Sequence, residues 1–296
     1  MSILDIKLRT PRREHLMRMD LDPALRSEES ILSFIRAGVL YEADVADVFL
    51  RAVRDGDTVF DVGANVGFFT LLGAFLAGPT GRVVSFEPAA ENLRRLAANI
   101  ALNDVANITV VEQPVSDGIE DTAFHLNSDN AGGHSLWAPG NFPANAKSRE
   151  APRSIAMRTT TIDAEVARLN LAPPRVIKID TEGAEHKVLA GAAGLLQGRK
   201  VPYIVAELHE FGLQQMGSSQ AALRGFMAEF GYETFLLYLD GSLPRLAPRA
   251  TRISSPFFLN LLFSTPENVA ALWPTVTHQI APGLVKTAPS IVPVQP

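Results

Sequence analysis

The residues able to do chemistry cluster around one turn. Thr58-Val59-Phe60-Asp61-Val62 reads as a buried strand, Gly63-Ala64-Asn65-Val66-Gly67 as a tight turn, and the apolar run from Phe68 as a helix. Glycine opens backbone angles closed to other residues and lets a ligand approach the main chain. A glycine turn between strand and helix places a nucleotide-type ligand over the helix N-terminus. The third glycine of a dinucleotide fingerprint is out of place here. A carboxylate at Asp61 would repel a pyrophosphate and would suit an ammonium. S-adenosylmethionine carries an ammonium and a sulfonium and no phosphate. Glu87 follows the turn by about 20 residues, where such folds set an acid against a ribose diol. An ionised carboxylate only accepts hydrogen bonds, and the diol offers two. Ser116 or Asp117, in the loop Pro114-Val115-Ser116-Asp117-Gly118, could reach an adenine edge; a plain turn is the alternative.

A second group of candidates lies further along. Asp180 closes the strand Val176-Ile177-Lys178-Ile179-Asp180 and is followed by Thr181-Glu182-Gly183-Ala184-Glu185. Asp180 could bind the ammonium, assist a base or hold a cation, and it could cap a helix at the same time. Chemistry at a sulfonium methyl needs an acceptor atom held in line with it and a base for any proton that the acceptor loses. The base candidates are Glu182, His209 and His134, with His209 first by position. Asp180, Glu207 and His209 could instead hold Mg²⁺, since hard cations prefer carboxylates. That reading is not favoured, and no residue is assigned as a metal ligand.

The elements that position these residues alternate. Strands are expected at 58–62, 82–86, 108–112, 176–180 and 203–208. Helices are expected at 27–37, capped by Ser27, and at 42–54, 68–76, 89–101 and 219–230, with another from about Glu185 to Gln197. Tyr232–Leu239 and Phe257–Phe263 read as a closing antiparallel pair. The pattern implies a doubly wound α/β sheet. Residues 119–160 break the repeat and read as an insertion at the ligand-binding rim, with strands at 122–126 and 158–161. Residues 1–26 carry Arg9, Arg12, Arg13 and Arg18 and read as a solvated arm. The organisation expected is an arm and helix over 1–40, one domain over 41–275, and an extended proline-rich tail over 276–296.

Composition narrows the classes. The 296 residues are 47% hydrophobic and 20% charged, enough for a large core. A net charge of −5 argues against a nucleic-acid partner. The absence of cysteine excludes disulfides and thiolate metal sites. No apolar run reaches the ~18 residues of a membrane span, and no signal-peptide core opens the chain. A soluble cytoplasmic protein acting on a small molecule is expected, with a homo-oligomer left open.

Asp61-Val62-Gly63-Ala64-Asn65-Val66-Gly67, Phe86-Glu87-Pro88 and Ile177-Lys178-Ile179-Asp180-Thr181-Glu182-Gly183-Ala184-Glu185 together resemble the FkbM-type methyltransferases. Tyr41-Glu42 and Thr160-Thr161-Ile162-Asp163 extend the likeness, which covers about residues 38–240. The resemblance implies a class I, Rossmann-like sheet of seven strands, mostly parallel, with the last antiparallel. It implies S-adenosylmethionine as methyl donor and a hydroxyl of a sugar, glycan or natural product as acceptor. It carries cofactor contact to Tyr41, Glu42, Gly63, Asn65, Gly67 and Pro88, beside Asp61, Glu87, Ser116, Asp117 and Asp180. Aminopropyl transfer, NAD-dependent chemistry and a non-catalytic cofactor-binding protein remain the alternatives.

Overall fold

The computed structural model describes residues 2–9, 14–255, 258–273 and 290–293. The chain opens with β1 (Ser2–Arg9), β2 (Glu14–Leu21), α1 (Arg26–Arg36) and α2 (Ala43–Ala52). The first βα units follow as β3 (Thr58–Val62), α3 (Phe68–Ala77), β4 (Arg82–Phe86), α4 (Ala90–Ala101) and β5 (Ile108–Val111). Next come β6 (Asp121–Leu126), α5 (Ala146–Glu150), β7 (Arg153–Arg158), α6 (Ile162–Arg168) and β8 (Val176–Ile179). Then come α7 (Glu185–Ala190), α8 (Ala193–Leu196), β9 (Tyr203–Leu208), α9 (Glu210–Gln215) and α10 (Gln220–Glu229). The chain closes with β10 (Glu233–Leu236), β11 (Arg245–Leu246), β12 (Thr251–Ser254), β13 (Leu259–Ser264), α11 (Pro266–Leu272) and β14 (Ser290–Pro293).

The central sheet runs β11-β10-β13-β9-β8-β3-β4-β5. The five strands from β9 to β5 are parallel neighbours, which βαβ crossovers require. β13 enters antiparallel between β9 and β10. Seven strands with an antiparallel last member are thus in place, and the two-residue β11 adds an eighth at the edge. Both faces are covered, so β3 and β8 are buried along their whole length and are apolar apart from Thr58, Asp61 and Lys178. Phe49, Leu71 and Leu72 pack one face; Val188, Leu196 and Met227 pack the other. Ligands of such sheets lie outside the carboxyl ends of the strands. Here that rim carries Asp61, Glu87, Asp180 and Glu207.

The arm is a correction. Residues 2–9 and 14–21 pair antiparallel as a hairpin, β1 on β2, and are not a solvated segment. Ile6 and Leu8, with Met17, Met19 and Leu21, recur at the strand period and enter the core. The basic residues hid this alternation: Arg18 faces solvent and pairs with Asp5 at 3.4 Å. Arg12 and Arg13 lie outside the described residues. Asn99 of α4 and Asn103, just past its end, accept the backbone N–H groups of Asp20 and Arg18, both at 2.8 Å, which seats the hairpin on the sheet's helical layer. Helix α1 starts at Arg26 after Leu25, so Ser27 is inside it and not its cap. In the insertion, β6 pairs with β7, and the returning strand begins at Arg153, five residues ahead of the expected 158. Of the tail, 274–289 and 294–296 are outside the described residues; β14 is extended and pairs antiparallel with β12. The expected start of the last strand at Phe257 is also outside them.

If the hairpin is core, Met19→Ala should cost about 2–4 kcal/mol in urea denaturation. A loss under 0.5 kcal/mol would return the segment to the surface.

Candidate active site

The turn after β3 is built by close approach. Gly63 has φ +84°, and a Cβ there would overlap the Asp180 carbonyl oxygen, so only glycine lets the two strand ends meet. Asn65 takes φ +49° and donates its N–H to Glu87 Oε2 at 2.8 Å. Glu87 Oε1 accepts from Ala89 N, also at 2.8 Å. Glu87 therefore ties the turn to the start of α4 and keeps spare lone pairs toward the cleft. Burial pushes its carboxyl up to about 7, against the two backbone donors. Asp61 is 1% exposed; Thr70 donates to its Oδ2 at 2.7 Å, and its Oδ1 has no partner. Burial raises its pKa, opposed by Lys178 and Thr70.

Beside this turn lies a cleft with about 590 Å³ of empty space, part of it open to solvent. Gly63, Asn65, Glu87, Pro88 and Asp180 line it, as the sequence led us to expect. Pro114 and Val115 line it as well, whereas Ser116 and Asp117 do not. Ser116 donates to Asp117 Oδ1 at 3.0 Å, and Asp117 turns outward to Lys187 at 3.2 Å. Gly67, at φ +95°, sits behind the wall against Leu96. The insertion roofs the cleft with Ala131, Gly132 and His134. Asn92 holds that roof by donating to Ala131 O at 3.0 Å.

Past Asp180 the site becomes a pocket of acids. Carboxylate oxygens of Asp180, Glu182 and Glu207 lie within 4.8 Å of one another, the set among the described residues able to hold a metal ion. This differs from the expected trio, since Glu182 replaces His209. Glu42, at φ +43°, faces the same group and keeps its Oε2 unpartnered. Tyr41 shares a hydrogen bond with Glu42, and its ring packs on Phe34, Phe68 and Phe69. Burial is the first cause raising the pKa of Glu42, to about 7, and of Glu182 and Glu207 well above the ordinary value. Lys178, which we had not assigned to the site, donates from Nζ to Asp180 Oδ2 at 2.8 Å and sits 5.0 Å from the Phe69 ring centroid. Its signal was a charged residue inside an apolar strand.

His209 is 3% exposed and caps α9, its Nδ1 accepting from Gly212 N at 2.8 Å. Its Nε2 therefore carries the proton of the neutral ring and points to Glu182 Oε2 at 3.7 Å. Burial pushes its pKa down to about 4. His134 is held the same way, with Nδ1 accepting from Asn127 N at 2.8 Å and burial lowering it to about 4. In both rings the acceptor nitrogen of the neutral imidazole is thus already engaged by a backbone N–H. Trp137, Phe142 and Phe258 surround His209, and Phe211 packs edge-on against Trp137 and Phe142. Trp137 Nε1 also donates to Glu182 O at 2.6 Å, fixing a loop where Glu182 takes φ +58°.

Comparison with known proteins follows the same residues. The methyltransferase FkbM domain matches residues 61–234, more than half of the chain. The 31-O-demethyl-FK506 methyltransferase FkbM of Streptomyces tacrolimicus is 29% identical over 219 residues, covering 67% of this chain and 83% of the relative. The hexuronic acid methyltransferase AglP of Haloferax volcanii is 28% identical over 169 residues, covering 57% and 62%. The solved methyltransferase FkbM from Methylobacillus flagellatus aligns over 79% of this chain and 59% of its own, at 14% identity and a TM-score of 0.42.

The acid pocket makes a pH prediction. Glu42 titrates near 7 when folded and near 4.5 when unfolded, so its contribution is fully present below pH 4.5 and is lost as pH rises through 7. Glu42→Gln keeps the uncharged form. Its stability relative to wild type, read by urea denaturation, should rise between pH 4.5 and 8. A difference that stays constant with pH would show that Glu42 is not held protonated.

Proposed function

The chain belongs to the FkbM methyltransferase domain family, and from that premise we propose that it moves a methyl group from S-adenosylmethionine to a hydroxyl of a sugar, glycan or other natural product. The observation that carries the donor assignment is Asp61: wholly buried beside the glycine turn, with Oδ1 left without a partner. A buried carboxylate oxygen is costly unless a donor meets it. An ammonium meets that need, and a pyrophosphate would not. The residues present fit the group, with Asp61 and Asp180 toward the ammonium and Glu87 toward the ribose. Bound there, S-adenosylmethionine supplies an electrophilic methyl on a sulfonium, a good leaving group.

The acid pocket next to the cleft suits a hydroxyl acceptor. Carboxylates accept hydrogen bonds from hydroxyls and orient them. Glu182 is the base we favour: its carboxylate lies beside Asp180 and 3.7 Å from His209 Nε2, and burial raises its pKa, which makes it a stronger proton acceptor than an ordinary carboxylate. Positive charge brought by the donor favours its ionised form, ready to take the hydroxyl proton. Phe258, 53% exposed, and the rings around His209 offer an apolar surface for the rest of the acceptor. Two relatives are named as a 31-O-demethyl-FK506 methyltransferase and a hexuronic acid methyltransferase, which supports an oxygen acceptor on a natural product or sugar.

Calorimetry with S-adenosylmethionine should give micromolar binding, weakened at least tenfold by Asp61→Asn. No binding by folded wild type would sink the donor assignment. Glu182→Gln should lower kcat by about 10²–10⁴ while leaving donor affinity within threefold. A kcat within threefold of wild type would remove Glu182 as the base.

A further inference from the structure

Lys178 stands where a core strand would ordinarily place an aliphatic residue. It is 3% exposed, in the middle of an otherwise apolar strand. Burying an ammonium costs free energy unless partners compensate. Those partners are on the page. Lys178 lies opposite Asp61 in the parallel register of β3 and β8, so both side chains leave the same face of the sheet. Its Nζ bonds Asp180, and the Phe69 ring covers a further side. Burial works against its charge, yet Asp180, Glu42 and Asp61 outweigh it and keep the ammonium charged. The carboxylates that hold Lys178 are thus those assigned above to the donor's ammonium.

We propose that Lys178 is a positioning residue whose charge sets the balance between binding of the sulfonium donor and binding of its thioether product. The inference rests on the donor assignment. Donor and product share the adenosine, the ammonium and the carboxylate. They differ by one methyl and one positive charge on sulfur. An ammonium already lodged among the receiving carboxylates repels that extra charge. It weakens the donor and spares the product. The repulsion falls as transfer proceeds, because the C–S electron pair returns to sulfur while the new C–O bond forms. The hydroxyl proton, with its positive charge, goes to a carboxylate of the pocket. Lys178 so raises the bound donor relative to the transition state, in addition to holding Asp180 in place. A lysine with a structural role alone would affect donor and product alike.

The test is calorimetric titration of wild type, Lys178→Met and Lys178→Arg with S-adenosylmethionine, S-adenosylhomocysteine and sinefungin, which bears an amine where the donor bears the sulfonium. In Lys178→Met the ratio of the S-adenosylhomocysteine Kd to the S-adenosylmethionine Kd should rise by about fivefold or more, allowing for solvent screening of a partly open site. Sinefungin should follow S-adenosylmethionine. Lys178→Arg keeps the charge and should hold the ratio within twofold. A parallel change of both affinities in Lys178→Met would overturn the proposal. If Lys178→Met does not fold, the same comparison is made on an Asp180→Asn background, where the ion pair is already broken; adding Lys178→Met should again raise the ratio, and an unmoved ratio would overturn the proposal. Wild type that binds none of the ligands would instead fail the donor assignment, so the two failures are distinct.

Discussion

The constraint on which this architecture turns is the cost of keeping carboxylates away from water. Glu42, Asp61, Glu87, Glu182, Glu185 and Glu207 are all raised in pKa by burial. Each sits at or near the carboxyl ends of parallel strands, where the backbone must leave the sheet. The local devices answer that cost one carboxylate at a time. Backbone N–H groups meet both oxygens of Glu87. Thr181 and Gly183 donate to Glu185 Oε1 at 3.0 Å. Thr70 meets half of Asp61, and Lys178 meets Asp180. Among these carboxylates, one oxygen each of Asp61, Glu42, Glu185 and Glu207 remains unmet within the protein. A buried oxygen without a donor is a place where a bound partner can supply the missing hydrogen bond.

The loops that carry the acids depend on a few backbone exceptions. Asn65, Glu42 and Glu182 take left-handed angles, and Gly183, at φ +112°, packs so closely on Gly212 that a Cβ would overlap its backbone. This contact brings the end of β8 against the start of α9, which sets Glu182 beside His209. The aromatic residues of the insertion then close over the histidine. Here the insertion is a wall of the site, which is why it breaks the βα rhythm of the sequence.

Strand ends were readable because they combine two local signals: an apolar run and the residue that stops it. Asp61, Glu87 and Asp180 could be placed on those grounds, and the structure sets Glu87 and Asp180 on the cleft with Asp61 just behind it. Ser116 and Asp117 do not line the cleft; Asp117 meets Lys187, seventy residues away, a contact that the loop's own sequence does not announce. Lys178 gained its meaning from Asp61 across the sheet, a pairing fixed by register and not by spacing in the chain. The hairpin at the N-terminus was obscured by its arginines, although the alternation of Met17, Met19 and Leu21 was present to be counted. His209 lies buried beside Glu182, and its ring orientation follows from a cap on Gly212 N, which composition does not reveal.

The central claim is that the unmet oxygen of Asp61 and the acids beside it receive the ammonium of a sulfonium methyl donor. A crystal structure of the protein with S-adenosylhomocysteine tests it most directly. The account predicts the amine of the ligand within about 3 Å of an Asp61 or Asp180 carboxylate oxygen, its ribose against Glu87, and its sulfur facing Glu182. A ligand bound with its amine away from both aspartates, or with its ribose away from Glu87, would contradict it.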